Sequence, residues 1–339
     1  MNLSEQTRHT KPRRKDTKAV MISGSIAFDF IMLFDGRFRE HILPDRIHVL
    51  NLAFLAPQLQ RQDGGCAANI GYTLAGLGGW ARLLGSVGSD ARDYLERLAM
   101  LGLDLESVTS FDDCYSAQAF ITTDLEANQI TAFHPGAMNR AHEINVREAI
   151  VACKPCGWGI VAPNGKQAMI DHAAVFAQEG LRFIFDPGQG LPMFTGEELL
   201  RLIHQADALI VNDYEASMLM QKTGLDETEL SRGLSALVIT RGAQGCRLIR
   251  QGQLTEFQAA PAAQVVDPTG CGDAFRGAVL YALSLGCDWE DAIRLGTILG
   301  SVKVEHAGAQ NHPIDRDRIA DRWREHFDHE PPSVFELDR

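Results

Sequence analysis

Five short runs of the chain, ARLLGSV (81–87), WGIVAP (158–163), RFIFD (182–186), ALIVN (208–212) and ALVIT (236–240), are apolar almost without interruption. A strand wetted on one face alternates polar and apolar residues, whereas these runs need cover on both faces, the condition of a buried parallel sheet. AVMISGSIAF (19–28) begins the series and ends in small residues suited to a loop that meets a ligand. Between the runs lie helical patterns, ANIGYTLAGLG (68–78), KQAMIDHAAVFAQEG (166–180) and GEELLRLIHQA (196–206), the first two closing on glycine. This alternation predicts an α/β fold: a doubly wound, mostly parallel sheet flanked by helices, with ligands beyond the carboxyl ends of its strands.

Two stretches break the alternation. FIMLFDGRF (30–38) and AQAFITTDLEANQITAFH (117–134) read as strands or hairpins turning at Asp-Gly and Glu-Ala-Asn. The predicted division is a large α/β unit at 19–29, 53–113 and 139–330, and a small β lid at 30–52 and 114–138. A basic, aperiodic tail at 1–18 reads as disordered, RDRIADRWREHF near 314 onward as a terminal helix, and 331–339 as a frayed end.

Charge excludes some classes of function. A net charge of −12, with no basic stripe interleaved with aromatics, argues against a nucleic-acid partner, although a small phosphorylated ligand needs only a local patch. No apolar run reaches the roughly 18 residues of a membrane helix. Seven thinly spread cysteines and no secretory segment at the start predict a reducing cytoplasm. Cys153 and Cys156 form a single C-x-x-C without a second ligand pair, which does not suit zinc. IVAPNGK (160–166) has isoleucine where a phosphate-binding loop of the G-x-x-x-x-G-K type starts with glycine, and Gln167 where it ends in Ser or Thr.

The chemistry gathers in VVDPTGCGDAFRGAVLYALSLG (265–286). Gly270, Cys271 and Gly272 open an apolar helix, and backbone N–H groups converging at a helix start make an anion site. As an alternative, the glycines serve only to bend the chain. An acid in such a loop repels the anion it would bind unless it has its own task, and for Asp273 that task is to take the proton of an attacking hydroxyl while the amides of 270–272 steady a transferring phosphoryl group. Cys271 reads either as a small packed side chain or as a thiol with some thiolate character at the helix start. Asn212 and Glu215 have the spacing of a helix capping box.

DPTGCGD (267–273) resembles the D-[TS]-x-G-A-G-D signature of the ribokinase-like, PfkB-type sugar and nucleoside kinases, with Pro268 and Cys271 as departures. Pro268 removes an N–H donor and a hydroxyl at its position. Four more motifs follow the family's order over about 19–312: SIAFD (25–29), GGCAAN (64–69), NDYE (212–215) and TRGAQG (240–245). The resemblance implies a ribokinase-like fold, ATP as donor, Mg2+ and an optional monovalent cation. It assigns vicinal hydroxyls to Asp29, the substrate approach to Gly64 and Gly65, a substrate hydroxyl to Asn69, and water-mediated magnesium to Glu215. It assigns the nucleotide to Asn212, Thr240, Gly242, Gly245 and Thr269, with Val302 and Ala307 beside its adenine.

Within the family the chain is similar to bacterial adenosine or broad nucleoside kinases, in segments 34–45, 118–138 and 185–194. That implies transfer to the 5′-hydroxyl of a ribonucleoside, adenosine giving AMP in purine salvage; the alternatives are a ribokinase or fructokinase type of sugar kinase, and a silent nucleoside sensor. Phe28, Met32, Phe120, Phe133 and Met138 in the predicted lid suit stacking on a flat base, and equally suit packing of the lid itself. The lid's strand edge offers a homodimer contact.

Overall fold

The computed structural model describes residues 18–42, 52–126 and 128–335. Most of the basic tail, residues 43–51 of the predicted lid and 336–339 of the predicted frayed end lie outside the described residues.

The strands in chain order are β1 (Ala19–Ser23), β2 (Ala27–Leu33), β3 (Gln58–Gly64), β4 (Trp80–Leu84), β5 (Ser86–Gly88), β6 (Thr109–Phe111), β7 (Ala117–Thr123), β8 (Gln129–His134), β9 (Cys156–Val161), β10 (Phe183–Phe185), β11 (Ala208–Asn212), β12 (Ala236–Thr240), β13 (Cys246–Arg250) and β14 (Gln253–Phe257). Eight form the main sheet in the order β14-β13-β12-β11-β10-β9-β1-β4. The pairs from β12 across to β4 are parallel, and β13 and β14 add an antiparallel edge.

Double-sided burial explains the uninterrupted apolar runs. Val20, Ile22, Ile160, Ile184, Ile210 and Val238 enter one core, and their alternating neighbours Met21, Val161, Phe185, Leu209 and Ile239 enter the core on the opposite face. Each fully buried side chain of this size contributes roughly 1.5–3 kcal/mol of transfer free energy. A buried charge survives where it is paired: at the β4 edge Arg82 meets Asp104 at 2.8 Å, and Trp80 Nε1 donates to the same carboxylate. The predicted terminal helix is Arg316–His326, anchored by buried Ile319 and Trp323.

A separate four-stranded sheet, β3-β2-β7-β8, carries the 117–134 hairpin as expected. Its other half differs from the sequence reading. The strand paired with β2 is β3, from the stretch assigned to the large unit; QLQRQDG is mostly polar and exposed at this edge, so it shows no apolar period. Around Asp35-Gly36 there is no hairpin but a bend into the short helix Phe38–His41. Phe34, Phe38 and Phe54 draw together there, with ring centroids 4.8–5.9 Å apart, and the Phe38 N–H donates to Asp124 from the other hairpin.

Two helices on one face of the main sheet fix the site. Helix Cys66–Gly76 crosses helix Cys271–Ser284 at Gly277, where a Cβ would lie 2.6 Å from the Ile70 carbonyl oxygen and 2.8 Å from Thr73 Cβ. Ile70 follows Asn69, and Gly277 lies one turn beyond Asp273. Gly277→Val is therefore expected to destabilise the protein by about 1–3 kcal/mol in urea denaturation. It is also expected to reduce turnover in the fraction that stays folded, because the two helices can no longer hold their polar residues at the same separation.

Candidate active site

Asp267 fastens the glycine loop before the helix begins. Its carboxylate accepts from the Thr269 N–H and the Gly308 N–H, both at 2.8 Å, tying the loop to the segment after helix Trp289–Val304. Burial pushes this carboxyl up, but those two amides and the Lys303 ammonium prevail and hold it below its ordinary value. Lys303, fully buried, donates to the carbonyls of Asp267 and His306, both at 2.9 Å.

Gly270 stands before the first turn at φ 79°, a left-handed conformation that a side chain resists, and a Cβ would press on Ala309 at 2.8 Å. The three amides expected to face an anion are not equivalent. The Cys271 N–H is already directed to the Pro268 carbonyl at 3.2 Å, so an anion there would be met by the other amides of the first helical turn, which have no acceptor within the helix. Burial also pushes the Cys271 thiol up, against the pull of Lys303, which removes the case for a reactive thiolate.

Asp273 sits in the first turn of that helix and accepts from Asn69 Nδ2 through Oδ2 at 2.8 Å. Burial raises its carboxyl above the ordinary value; the Asn69 bond and the Arg276 guanidinium oppose this, and Glu215 adds to it. Arg276 is the member of this group that the sequence motifs do not contain. It pairs with Asp186, just past β10, at 2.5 and 2.8 Å, and one guanidinium nitrogen would lie 2.8 Å from a Cβ on Gly272. A charged residue inside the apolar run AFRGAVLYAL was the available signal, since a buried helix face tolerates charge only with a partner. Burial drives the Asp186 carboxyl upward, against the pull of Arg276.

The small sheet supplies the other wall. Asp29 on β2 lies so near Gly64 that a Cβ there would meet its Oδ2 at 2.8 Å, and next to it Gly65, at φ 95°, runs against the backbone of Ser25 and Ala27. Burial, then the Asp273 charge, raise the Asp29 carboxyl, which puts the two acids in electrostatic reach of each other. Asp29 pairs in register with Ala119, and Ala119 with Phe133, so these three share a face. Of the five lid residues singled out for stacking, Phe133 alone has both that alignment and free surface, being 48% exposed. Phe28 is in the core against Tyr94, Phe120 stacks on Phe30 on the opposite face with Met32 on that same side, and Met138 is buried with Ala27 and Ala117.

At the carboxyl ends of β11 and β12, Asn212 and Thr240 are direct register partners. Asn212 and Glu215 form the reciprocal capping box at 2.7 and 2.8 Å, so their local role is the one their spacing suggested. Gly242 and Gly245, both at positive φ, shape the turn after Thr240. Thr269 and Ala307 are exposed in neighbouring loops, whereas Val302 is buried in the core.

The described residues contain no cluster of three or more His, Cys, Asp or Glu able to hold a metal ion. Glu215, Asp186 and Asp273 nonetheless act on one another electrostatically and set three carboxylates against the single guanidinium of Arg276. That excess of negative charge fits a divalent cation that arrives on phosphates and keeps most of its waters, the habit of magnesium.

The model of the pfkB family carbohydrate kinases matches residues 30–316. A nucleoside kinase of Burkholderia thailandensis, solved in complex with inosine, is 47% identical and superposes with a TM-score of 0.83 over 92% of this chain and 99% of that one. A nucleoside kinase of Methanothermobacter thermautotrophicus is 28% identical over 322 residues, covering 94% of this chain and 99% of that protein. Sugar kinases are similar too: a probable fructokinase-4 of Arabidopsis thaliana is 26% identical over 282 residues, covering 75% of this chain and 85% of that protein. No helix among the described residues is long and apolar enough to cross a membrane.

Arg276→Met leaves the buried Asp186 carboxylate without its partner, and is expected to cost about 3–5 kcal/mol in chemical denaturation. Pairing it with Asp186→Leu should recover much of that loss, because the orphaned charge goes with it.

Proposed function

The chain belongs to the pfkB family of carbohydrate kinases, and from that membership we propose that it transfers the γ-phosphoryl group of ATP to the 5′-hydroxyl of a ribonucleoside, with adenosine the acceptor we favour. One observation carries the reading: Asp273 stands in the first turn of a glycine-led helix with its carboxylate held by Asn69, and Asp29, beside Gly64, shares a sheet face with Phe133. A carboxylate accepts from two vicinal hydroxyls, and an aromatic ring in register with it suits a flat base beyond the ribose. A free sugar leaves that ring without a partner. The relatives favour the same acceptor class, since the Burkholderia thailandensis nucleoside kinase was solved with inosine and also with ADP-inosine.

In this mechanism Asp29 and the Gly64-Gly65 turn hold the ribose so that its 5′-oxygen lies beside Asp273. The carboxylate takes the hydroxyl proton as the oxygen bonds to the γ-phosphorus, the bond from that phosphorus to the ADP oxygen breaks, and ADP departs with the electron pair. The first-turn amides of the helix and the buried Arg276 offset the charge on the transferring oxygens. Thr240 and the Gly242–Gly245 turn flank the donor nucleotide, with Ala307 at its base. Magnesium, held through water from Glu215 and by the phosphates, would neutralise phosphate charge. The small sheet closing over the cleft keeps water from competing with the acceptor.

Asp273→Asn is expected to bind nucleoside normally in calorimetry yet lose about 10²–10⁴-fold in kcat, while Asp29→Ala raises nucleoside KM roughly tenfold or more. Turnover of Asp273→Asn near the wild-type rate would remove the base assignment. An acceptor panel with ATP and magnesium separates the substrate classes: phosphorylation of ribose or fructose in preference to adenosine and inosine would overturn the nucleoside reading and leave the kinase.

A further inference from the structure

Asn69 has two faces, and only one of them suits a general base. With its amide nitrogen toward Asp273 it stabilises the carboxylate; with its carbonyl oxygen there it would repel it. The structure places Nδ2 at 2.8 Å from Asp273 Oδ2, and Oδ1 at 2.9 Å from Gln310 Nε2. Gln310 comes from the far end of the chain, is 3% exposed, and has all its side-chain polar atoms engaged.

Its own orientation is set by two groups that cannot reverse. Arg97 has only donors, and its guanidinium gives 2.7 Å to Gln310 Oε1 and 3.2 Å to the Gln310 carbonyl, so the glutamine must present oxygen there. Tyr94 Oη donates to the Gly64 carbonyl at 2.8 Å, an acceptor without a proton, and therefore has to accept from Gln310 Nε2, at 2.6 Å. Burial raises the Tyr94 phenol far above its ordinary value, so its proton stays on. The two constraints agree: Gln310 directs its NH2 to Asn69 and Tyr94, and Asn69 directs its own to the acid. Arg97 is further held by Asp63 at 3.3 Å, and Asp63 and Gly64 end β3, which ties the direction of this relay to the edge of the small sheet.

We infer that Gln310, oriented by Arg97 and Tyr94, is a positioning residue that locks the Asn69 amide as a donor to Asp273 Oδ2, keeping the base ionised and leaving Oδ1 for the acceptor hydroxyl. The inference rests on the assignment of Asp273 as the base. Other ionisable groups bear on that carboxylate: Arg276 from its own helix, Glu215 from helix Asp213–Thr223, Asp186 after β10, Asp29 on β2, Cys66 at the start of Asn69's helix, and Cys271. None contributes a bond in the relay, so removing Asn69 reads the contribution of the amide and removing Gln310 reads the contribution of its locking.

The test is the pH dependence of kcat at saturating adenosine and ATP for the wild type, Gln310→Leu, Arg97→Leu, Asn69→Leu and the Gln310→Leu/Asn69→Leu double variant. Losing the donor lets the base protonate more easily, so the acid limb should move to higher pH by about one unit in Asn69→Leu, and by less in Gln310→Leu and Arg97→Leu, where the Asn69 amide remains but is free to turn. The double variant should move no further than Asn69→Leu. Arg97 is partly exposed, so its variant carries the test if Gln310→Leu fails to fold. An acid limb that stays in place in the folded Gln310 and Arg97 variants, with kcat lowered equally at every pH, would overturn the relay. Asp273→Asn in the same series keeps the two readings apart: an inactive Asp273→Asn with an unmoved limb defeats only the relay, and an active one defeats the base assignment beneath it.

Discussion

In the proposed reaction a carboxylate has to remain ionised where a triphosphate docks, and that repulsion is the constraint the site has to meet. Asp273 belongs to the first turn of a helix whose amides and dipole favour negative charge, but only over a short range. Two groups meet it from the side: the Asn69 amide directly, and the Arg276 guanidinium, shared with Asp186, from beneath Gly272. Together they offset burial only in part, and the acid stays above its ordinary value. As the base of the proposed reaction, a carboxylate held in this way would take a proton without being trapped as a permanent anion.

Backbone proximity makes this possible. Gly277 lets the helix carrying Asn69 lie against the one carrying Asp273, and Gly64 and Gly65 let the end of β3 lie close against Asp29 and the backbone before β2. Asp267 and Lys303 then fasten the loop before the helix to the segment after helix Trp289–Val304, the segment from which Gln310 reaches Asn69. Asn69 lies 204 residues from Asp273 and 241 from Gln310, and each of these two pairs is joined by a hydrogen bond from a side-chain NH2.

What could be read from the sequence was whatever local pattern records. Strands buried on both faces leave uninterrupted apolar runs, so the main sheet was legible, and the glycine loop opening the helix of Asp273 and the Asn212–Glu215 cap declared themselves by spacing. The edge strand β3 was not legible, because a polar strand has no apolar period, and the segment after β2 was misread because Phe54, distant in sequence, packs on Phe34 and Phe38 and an apparent turn becomes a short helix. Residue type alone also overestimated the stacking surface: register separates Phe133 from Phe28, Met32 and Phe120. Gln310, Tyr94 and Arg97 carry no motif at all; their meaning lies in which atoms can donate, and that emerges only when the chain is folded.

A crystal structure of the protein with adenosine and a non-hydrolysable ATP analogue puts the central claim to the most direct trial. The account predicts the 5′-oxygen within about 3 Å of Asp273 Oδ1, in line with the γ-phosphorus, with both ribose hydroxyls on Asp29. A 5′-oxygen turned away from Asp273, or a terminal phosphate bound far from the start of helix Cys271–Ser284, would contradict it.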